Sequence, residues 1–297
     1  MSTSVNDAKA LIPDMLPQAA SKQVPLEPVT RIRPSKSWER IDFAELWAQR
    51  EVFYFLVWRD LKVRYKQTII GAAWVILQPI LITLVFAVFL GRLMRVPSDG
   101  VPYPIFAFTA VLLWTFVSNA VLSSSYSLIT NAHLITRVYF SRLLIPAATV
   151  GVRFVDLVVA SLVLVALILY YNVHIGWSIL AFPFFLIEIA ALTLALGLLG
   201  SSLNVRYRDV GTMLPILLQV WMFVSPIVYA SSIVPSRLRF VYAINPLVGI
   251  IEGARASLFN LPFRWPSIVI SIVITLSLLI FSIHVFLRME SGFADEV

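Results

Sequence analysis

The chain is 297 residues long with a formal charge of +7, and it is 59% hydrophobic but only 13% charged. A soluble domain has roughly 25% charged residues. Half that share, with a mean hydropathy of +0.87, excludes a disordered chain, a fibrous repeat and an ordinary water-soluble enzyme. Most of the chain has lipid as its solvent. The absence of cysteine removes disulfides, thiolate nucleophiles and cysteine metal sites.

Residues 1–40 differ from all that follow. Pro13, Pro17, Pro25, Pro28 and Pro34 are too closely spaced for a helix. No apolar h-region follows Met1, so a signal peptide is not expected. This segment reads as a flexible cytoplasmic tail, and residues 41–297 as the membrane domain.

Asp42 and Glu45 form a D-x-x-E start of the capping-box kind. After them Leu46, Trp47, Phe53, Tyr54, Val57, Trp58, Leu61 and Tyr65 fall within an arc of roughly 140° on a helix. Charged side chains occupy the other side, while Arg50 and Arg64 intrude on the apolar stripe. The pattern predicts an amphipathic helix over 42–65 lying in the membrane interface. A soluble amphipathic helix docked on a partner has the same signature.

Six stretches then meet the roughly 20 apolar residues that a bilayer demands. They run over about 69–90, 104–128, 146–171, 177–203, 211–230 and 266–287. The fold class predicted is an all-α integral membrane protein of six transmembrane helices. With the N-terminus inside, the inner segments carry Arg50, Arg59, Lys62, Arg64, Lys66, Arg137, Arg142, Arg206, Arg208 and Arg288. The outer segments carry fewer: Arg92, Arg95, Arg237, Arg239, Arg255 and Arg264. Both termini are therefore expected in the cytoplasm, and the +7 is read as topology, with no nucleic-acid partner.

Two connections are too elaborate for turns. The inner one after the second span mixes apolar Leu134, Val138, Tyr139 and Phe140 with Arg137 and Arg142. That composition fits a short helix seated in a groove on a cytoplasmic partner, or equally one lying on lipid. The outer segment 231–265 is apolar but broken by Pro235, Pro246 and Pro262. Its helices are too short to span, so they are expected to be re-entrant or interfacial, with protein or a water-filled cavity around them. Glu252 and Arg255, at i,i+3, are expected to form an ion pair that tethers one of them.

Within the spans the ionisable residues are Arg153, Asp156 and Glu188. Asp156 lies about 15 Å deep at 1.5 Å per residue, and Glu188 reaches a similar depth. Unpaired charge there is costly, so one mutually satisfied cluster is expected, with a proton relay as the functional alternative. The chain has no G-x-x-x-x-G-K-[ST], no H-E-x-x-H and no G-x-S-x-G, and His133, His174 and His284 lie far apart. No metal, cofactor or hydrolytic chemistry is expected of this chain.

Several segments, in order, carry a resemblance. The run Trp58-Arg-Asp-Leu-Lys-Val-Arg-Tyr-Lys-Gln-Thr-Ile-Ile-Gly71, with Trp74 and Gln78-Pro79, opens it. Asn131–Pro146 with its core Val138-Tyr139-Phe140-x-Arg142 follows, then Asn204-x-Arg206-x-Arg208-Asp209. Asn245-Pro246 with Ile251-Glu252 and Arg255, and finally Arg288-x-Glu290-x-x-Phe293-Ala294-Asp295, complete it. From about residue 40 to the end, the chain resembles ABC-2 type permeases that export polysaccharides, and the longer tail departs from that family.

The resemblance implies a half-transporter in the bacterial inner membrane that pairs with a second copy of itself and with two copies of a separate ATPase subunit. That subunit would hold the ATP and Mg. Residues 131–142 would be the coupling helix, with Asn131, His133, Leu134, Arg137, Val138, Tyr139, Phe140 and Arg142. Residues 42–65 would be the interface helix, and 231–265 the outer gate, with Asn245, Pro246, Glu252 and Arg255. The substrate implied is a lipid-linked glycan such as O-antigen, capsule or teichoic acid. Sugar rings present apolar faces to aromatic side chains, so Trp114, Phe116, Trp221, Phe223 and Tyr229 are channel candidates, although lipid-facing or belt positions suit aromatics as well. An exporter of a small lipid or drug shares the fold. Other classes are an ion-coupled transporter using Asp156 or Glu188, and a membrane transferase, which the scattered acidic residues disfavour.

Overall fold

The computed structural model describes residues 47–66, 71–138, 140–290 and 292–293. The tail 1–40, the first residues of the expected interface helix, Tyr139 and Ala294-Asp295 lie outside the described residues. Among those described, every regular element is helical.

In chain order the helices are α1 (Arg50–Lys66), α2 (Gly71–Phe86, continued by a π-helical end Ala87–Leu93), α3 (Tyr103–Thr130), α4 (Ala132–Arg137) and α5 (Leu144–Tyr170). There follow a 3₁₀ turn at Trp177–Ala181, α6 (Phe182–Arg206), α7 (Asp209–Val224), two 3₁₀ turns, α8 (Arg239–Ala243), α9 (Pro246–Phe259) and α10 (Trp265–Glu290). Among the described residues, five helices are long and apolar enough to cross a membrane: Ala73–Leu93, Tyr103–Thr130, Leu144–Tyr170, Trp177–Arg206 and Trp265–Glu290. They match the expected first, second, third, fourth and sixth spans.

The fifth differs. Expected over 211–230, it is a 16-residue helix that stops at Val224. Pro226 disfavours helical geometry at the residue before it, and Ser225 is extended at φ −98°, ψ 154°. Its last carbonyls turn to side chains, Ser225 Oγ donating to the Trp221 carbonyl at 2.8 Å.

The core is built around α3, which is buried along most of its length and packs against α2, α5 and α6. Small residues let the backbones approach. A Cβ added at Gly197 of α6 would sit 2.6 Å from Ser124 Oγ of α3. Helix α10 closes the other side of α6. Helix α9 is short but buried almost throughout. Asn245 caps its start by accepting the Leu247 N–H at 3.1 Å, Pro246 occupies the first turn, and Asn260 ends it in the left-handed region at φ 54°. Side-chain bulk is excluded from its face at Gly253, where the Phe185 ring occupies the space a Cβ would need.

Helix α1 lies against α5, burying Leu56 and packing Phe53 and Val57 beside Leu144 and Ala148. The predicted aromatic stripe is thereby divided. Phe53 and Val57 face the protein, whereas Trp47, Tyr54 and Trp58 stay exposed, Tyr54 and Trp58 stacked with centroids 6.5 Å apart.

Candidate functional site: an anchored loop, a polar crevice and a buried arginine

At one end of the bundle the loop from α3 to α5 is tied down on both flanks. Asn131, at the foot of α3, accepts from Arg59 Nη2 of α1 at 2.9 Å and donates to the Ser127 carbonyl at 2.9 Å. Ser141 donates its N–H to Gln49 Oε1 at 2.9 Å, and the Arg142 N–H donates to Glu290 Oε1 of α10 at 3.2 Å. The Arg142 guanidinium also donates to the Glu290 carbonyl.

Between these anchors the helix is shorter than expected, six residues (Ala132–Arg137) in place of a stretch reaching 142. His133 and Arg137 are exposed on it, Val138 just beyond it is 53% exposed, and Leu134 and Phe140 pack beside Leu56 and Leu144.

Helix α1 continues to a second cluster. Arg64 Nη1 lies 2.7 Å from Asp156 Oδ2, and the Tyr65 hydroxyl donates to Asp156 Oδ1 at 2.7 Å. Arg153 Nη1 stands 3.6 Å from the same carboxylate, and its Nη2 donates to Ser123 Oγ at 2.6 Å. Burial, then the hydrogen bond to the Asp156 carboxylate, push the Tyr65 hydroxyl up to about 12. Asp156 thus faces two guanidinium groups and one hydroxyl donor, two of the three from α1.

The expected cluster is therefore corrected at Glu188, which joins neither Arg153 nor Asp156. Its Oε1 lies 2.5 Å from Ser271 Oγ of α10, and Ser271 in turn bonds the Pro246 carbonyl at 2.8 Å. Equal depth on two helices did not put their side chains on facing surfaces. The missed partner was Arg64, whose intrusion into the apolar stripe of α1 was its visible signal.

Arg64, Arg153 and Asp156 form one wall of a crevice between α2, α3 and α5, the others being supplied by residues such as Trp74, Gln78, Thr115, Phe116 and Asn119. The crevice has about 390 Å³ of space, part of it open to solvent. Asn119 Nδ2 reaches Gln78 Oε1 at 3.4 Å, a long contact that binds α3 loosely to α2.

At the opposite end, Arg255 of α9 is fully buried. Nη1 donates to the Pro226 carbonyl at 2.8 Å, Nη2 to Ile227 and Phe106 at 3.0 Å each, and Nε to Phe106 at 3.2 Å. Its guanidinium carbon also stands 3.4 Å from the centre of the Phe106 ring. The expected Glu252–Arg255 pair is corrected. Glu252 meets Arg264 Nη1 at 3.2 Å instead, and burial holds its carboxyl above the ordinary range. The i,i+3 spacing was the weaker attraction, because the carbonyls freed where α7 breaks need donors that only a guanidinium fork supplies in number.

Asn245 links the same region. Its Oδ1 accepts from Trp221 Nε1 at 3.0 Å as well as from Leu247, and its Nδ2 donates to Ser225 Oγ at 2.9 Å. The aromatic candidates do not share one surface. Trp114 is buried edge-on to Trp221 at 5.9 Å, and Phe116 packs edge-on to Phe154 at 6.0 Å while reaching the crevice wall. Phe223 is exposed on α7, and the Tyr229 hydroxyl donates to the Phe223 carbonyl at 3.2 Å.

Residues 51–259 match the family described as ABC-2 type transporter. Three relatives bear the name "O-antigen export system permease protein RfbA". One from Klebsiella pneumoniae is 26% identical over 238 residues, covering 80% of this chain and 91% of that protein. A second from Klebsiella pneumoniae is 25% identical over 239 residues with the same shares. One from Myxococcus xanthus is 27% identical over 219 residues, 73% of this chain and 83% of its own length.

Proposed function

The chain belongs to the ABC-2 type transporter family, and from that premise we propose that it is the transmembrane permease subunit of an ATP-driven exporter of lipid-linked polysaccharide. The cargo is an O-antigen-like, capsular or similar glycan, moved from the cytoplasmic face outward. The observation that carries this is the kinship with permeases named for O-antigen export, which extends over 80% of this chain and 91% of two such proteins.

Two copies of the chain pair, and two ATPase subunits supply the ATP and Mg that this sequence has no P-loop to bind. Helix α7 serves as the fifth of six spans, so both termini lie in the cytoplasm and the protein sits in the inner membrane. Helix α1 is the interface helix, a role supported by its exposed Trp47, Tyr54 and Trp58 beside a buried apolar face. The loop around α4 is the coupling surface, supported by its double anchorage and its exposed Val138. Segment 231–265 is the outer gate, with Asn245 and Arg255 setting its position.

The test is complementation. Cells lacking this chain should lose the surface glycan and accumulate it inside. Export should return only when the chain is supplied together with an ATPase subunit competent in hydrolysis. Normal surface glycan in the deletion strain, with loss of efflux of a small lipid instead, would overturn the assignment of cargo.

A further inference from the structure

Just beyond the end of α10, Phe293 is only 1% exposed and packs edge-on to Phe286, with ring centroids 5.2 Å apart. The chain turns back to reach that position, the Gly292 N–H donating to the Met289 carbonyl at 3.0 Å. Phe293 enters a buried cluster that holds Leu128 from the foot of α3, Ile135 from α4 and Ile145 from the start of α5. Leu198 and Val205 of α6 complete it. A residue from beyond the last span thus shares a core with α4 and with both helices that flank it.

Helix α4 has six residues, far below the length at which a helix is stable by itself, so packing decides where it stands. Among its described side chains only Ile135 is buried, and it is buried in the cluster that contains Phe293. Behind α4, Glu290 Oε1 accepts the Arg142 N–H at 3.2 Å, and the Glu290 carbonyl accepts from the Arg142 guanidinium. One apolar and one polar contact, three residues apart, therefore fix the loop to the end of α10. Without the Phe293 ring a cavity would open in the core beneath α4, into which a short helix can tilt. Helix α10 also gives this seat a reach. It runs unbroken from Trp265 to Glu290, and Ser271 in its other half bonds the Pro246 carbonyl at the start of α9, about 28 Å from Glu290.

We infer that Phe293 and Glu290 are positioning residues for energy coupling. They hold α4 at the height and tilt at which an ATPase subunit presses on it, and they tie it to the helix that bears on the outer gate. The inference rests on the reading of the loop around α4 as the coupling surface, and adds to that surface a part of the chain well over a hundred residues away. A push on an unsupported six-residue helix is spent on deforming the loop, so hydrolysis then runs without moving the spans.

The experiment uses the full chain with its ATPase subunit. Three quantities are read: hydrogen exchange of the α4 amides, ATP hydrolysis by the purified complex in proteoliposomes, and glycan at the surface of cells carrying the same variant. Phe293→Ala should speed exchange in α4 by about tenfold. Surface glycan relative to ATP hydrolysis should fall by about threefold or more. Phe293→Leu, which refills most of the space, should restore most of both. Glu290→Ala removes a single accepted bond and should shift both readings in the same direction by about twofold, which keeps the test open if Phe293→Ala does not fold.

Export and hydrolysis that fall in parallel in monodisperse Phe293→Ala and Glu290→Ala, leaving their ratio as in the wild type, overturn the positioning role and make these residues structural only. So does a Phe293→Leu protein as uncoupled as Phe293→Ala. Val138→Glu tests the underlying reading separately, because a charge on the exposed face of the loop should weaken capture of the ATPase subunit. A Val138→Glu chain that binds the subunit and exports as the wild type does overturns the coupling surface, and the positioning role with it.

Discussion

Part-way along α5, Arg64 and Arg153 converge on one carboxylate, joined by the Tyr65 hydroxyl. At the end that carries α9, Arg255 pairs with no carboxylate among the described residues and spreads its N–H groups over the carbonyls of Phe106, Pro226 and Ile227. Both arrangements keep a guanidinium inside an apolar bundle. They differ in what they permit. Side-chain ion pairs join separate helices and can exchange partners as helices slide, because each partner has rotamers of its own. Carbonyl oxygens are fixed to the backbone, so a guanidinium bound to them locks the break after α7 to the start of α3. The first arrangement suits a moving part, and the second suits a hinge stop.

That contrast predicts which substitutions should hurt folding and which should hurt transport. The largest effect is expected at Arg255. Arg255→Leu leaves buried carbonyls without donors and should cost about 3–5 kcal/mol, seen as a loss of monodisperse protein or a steep fall in melting temperature. Arg255→Lys keeps a charge but loses the fork, and should recover less than half of the loss. Wild-type melting in Arg255→Lys would break the contrast.

Next comes Asp156→Asn. It should destabilise by about 1–3 kcal/mol while lowering export more than the stability loss explains. A double-mutant cycle with Arg64→Gln should give a coupling energy of about 0.5–3 kcal/mol, and a value near zero would show that the pair does not join α1 to α5. Arg59→Gln should be milder in stability, about 0.5–1.5 kcal/mol for the bond to Asn131, and its mark should be ATP hydrolysis that continues with less glycan exported per ATP. The smallest effect is expected at Arg264, which is 41% exposed in its pair with Glu252. Arg264→Gln should shift stability by about 0–1 kcal/mol, less at high salt.

Much of the fold was legible because lipid imposes a simple rule of length and polarity, which found five helices with ends within four residues of those observed. The fifth expected span ran too far because average hydropathy does not register what Pro226 does to Ser225. The charge network was legible only in part. Depth along a helix follows from counting residues, but which face meets which neighbour depends on rotation. Glu188 was therefore grouped with Asp156 when it faces Ser271. Arg64 stood out as a cation on an apolar stripe, yet its partner sits on a helix 92 residues away and no local pattern names it. Gln78 entered only through the Gln78-Pro79 pair of the resemblance, and Thr115 and Asn119 gave no signal at all, since each is an ordinary polar residue in a span until packing brings the three to one crevice. The loop around α4 was legible as an oddity of composition, while its anchors come from two distant parts of the chain, Gln49 and Arg59 near α1 and Glu290 at the end of α10.

The early end of α7 has a consequence for the bilayer itself. Sixteen residues at 1.5 Å each make a helix about 24 Å long, several ångströms short of the roughly 30 Å hydrocarbon core. An outward face of Met213, Ile216, Leu217, Val220 and Phe223 matches acyl chains over that height and no more. Wherever this face meets lipid, the leaflets must compress to cover it, at a cost of fractions of a kcal/mol per ångström. Under the proposed six-span topology the insulating layer beside α7 would be thinner than elsewhere, and a hydroxyl-rich polymer held along that helix would cross a shorter oil barrier than the bulk membrane presents.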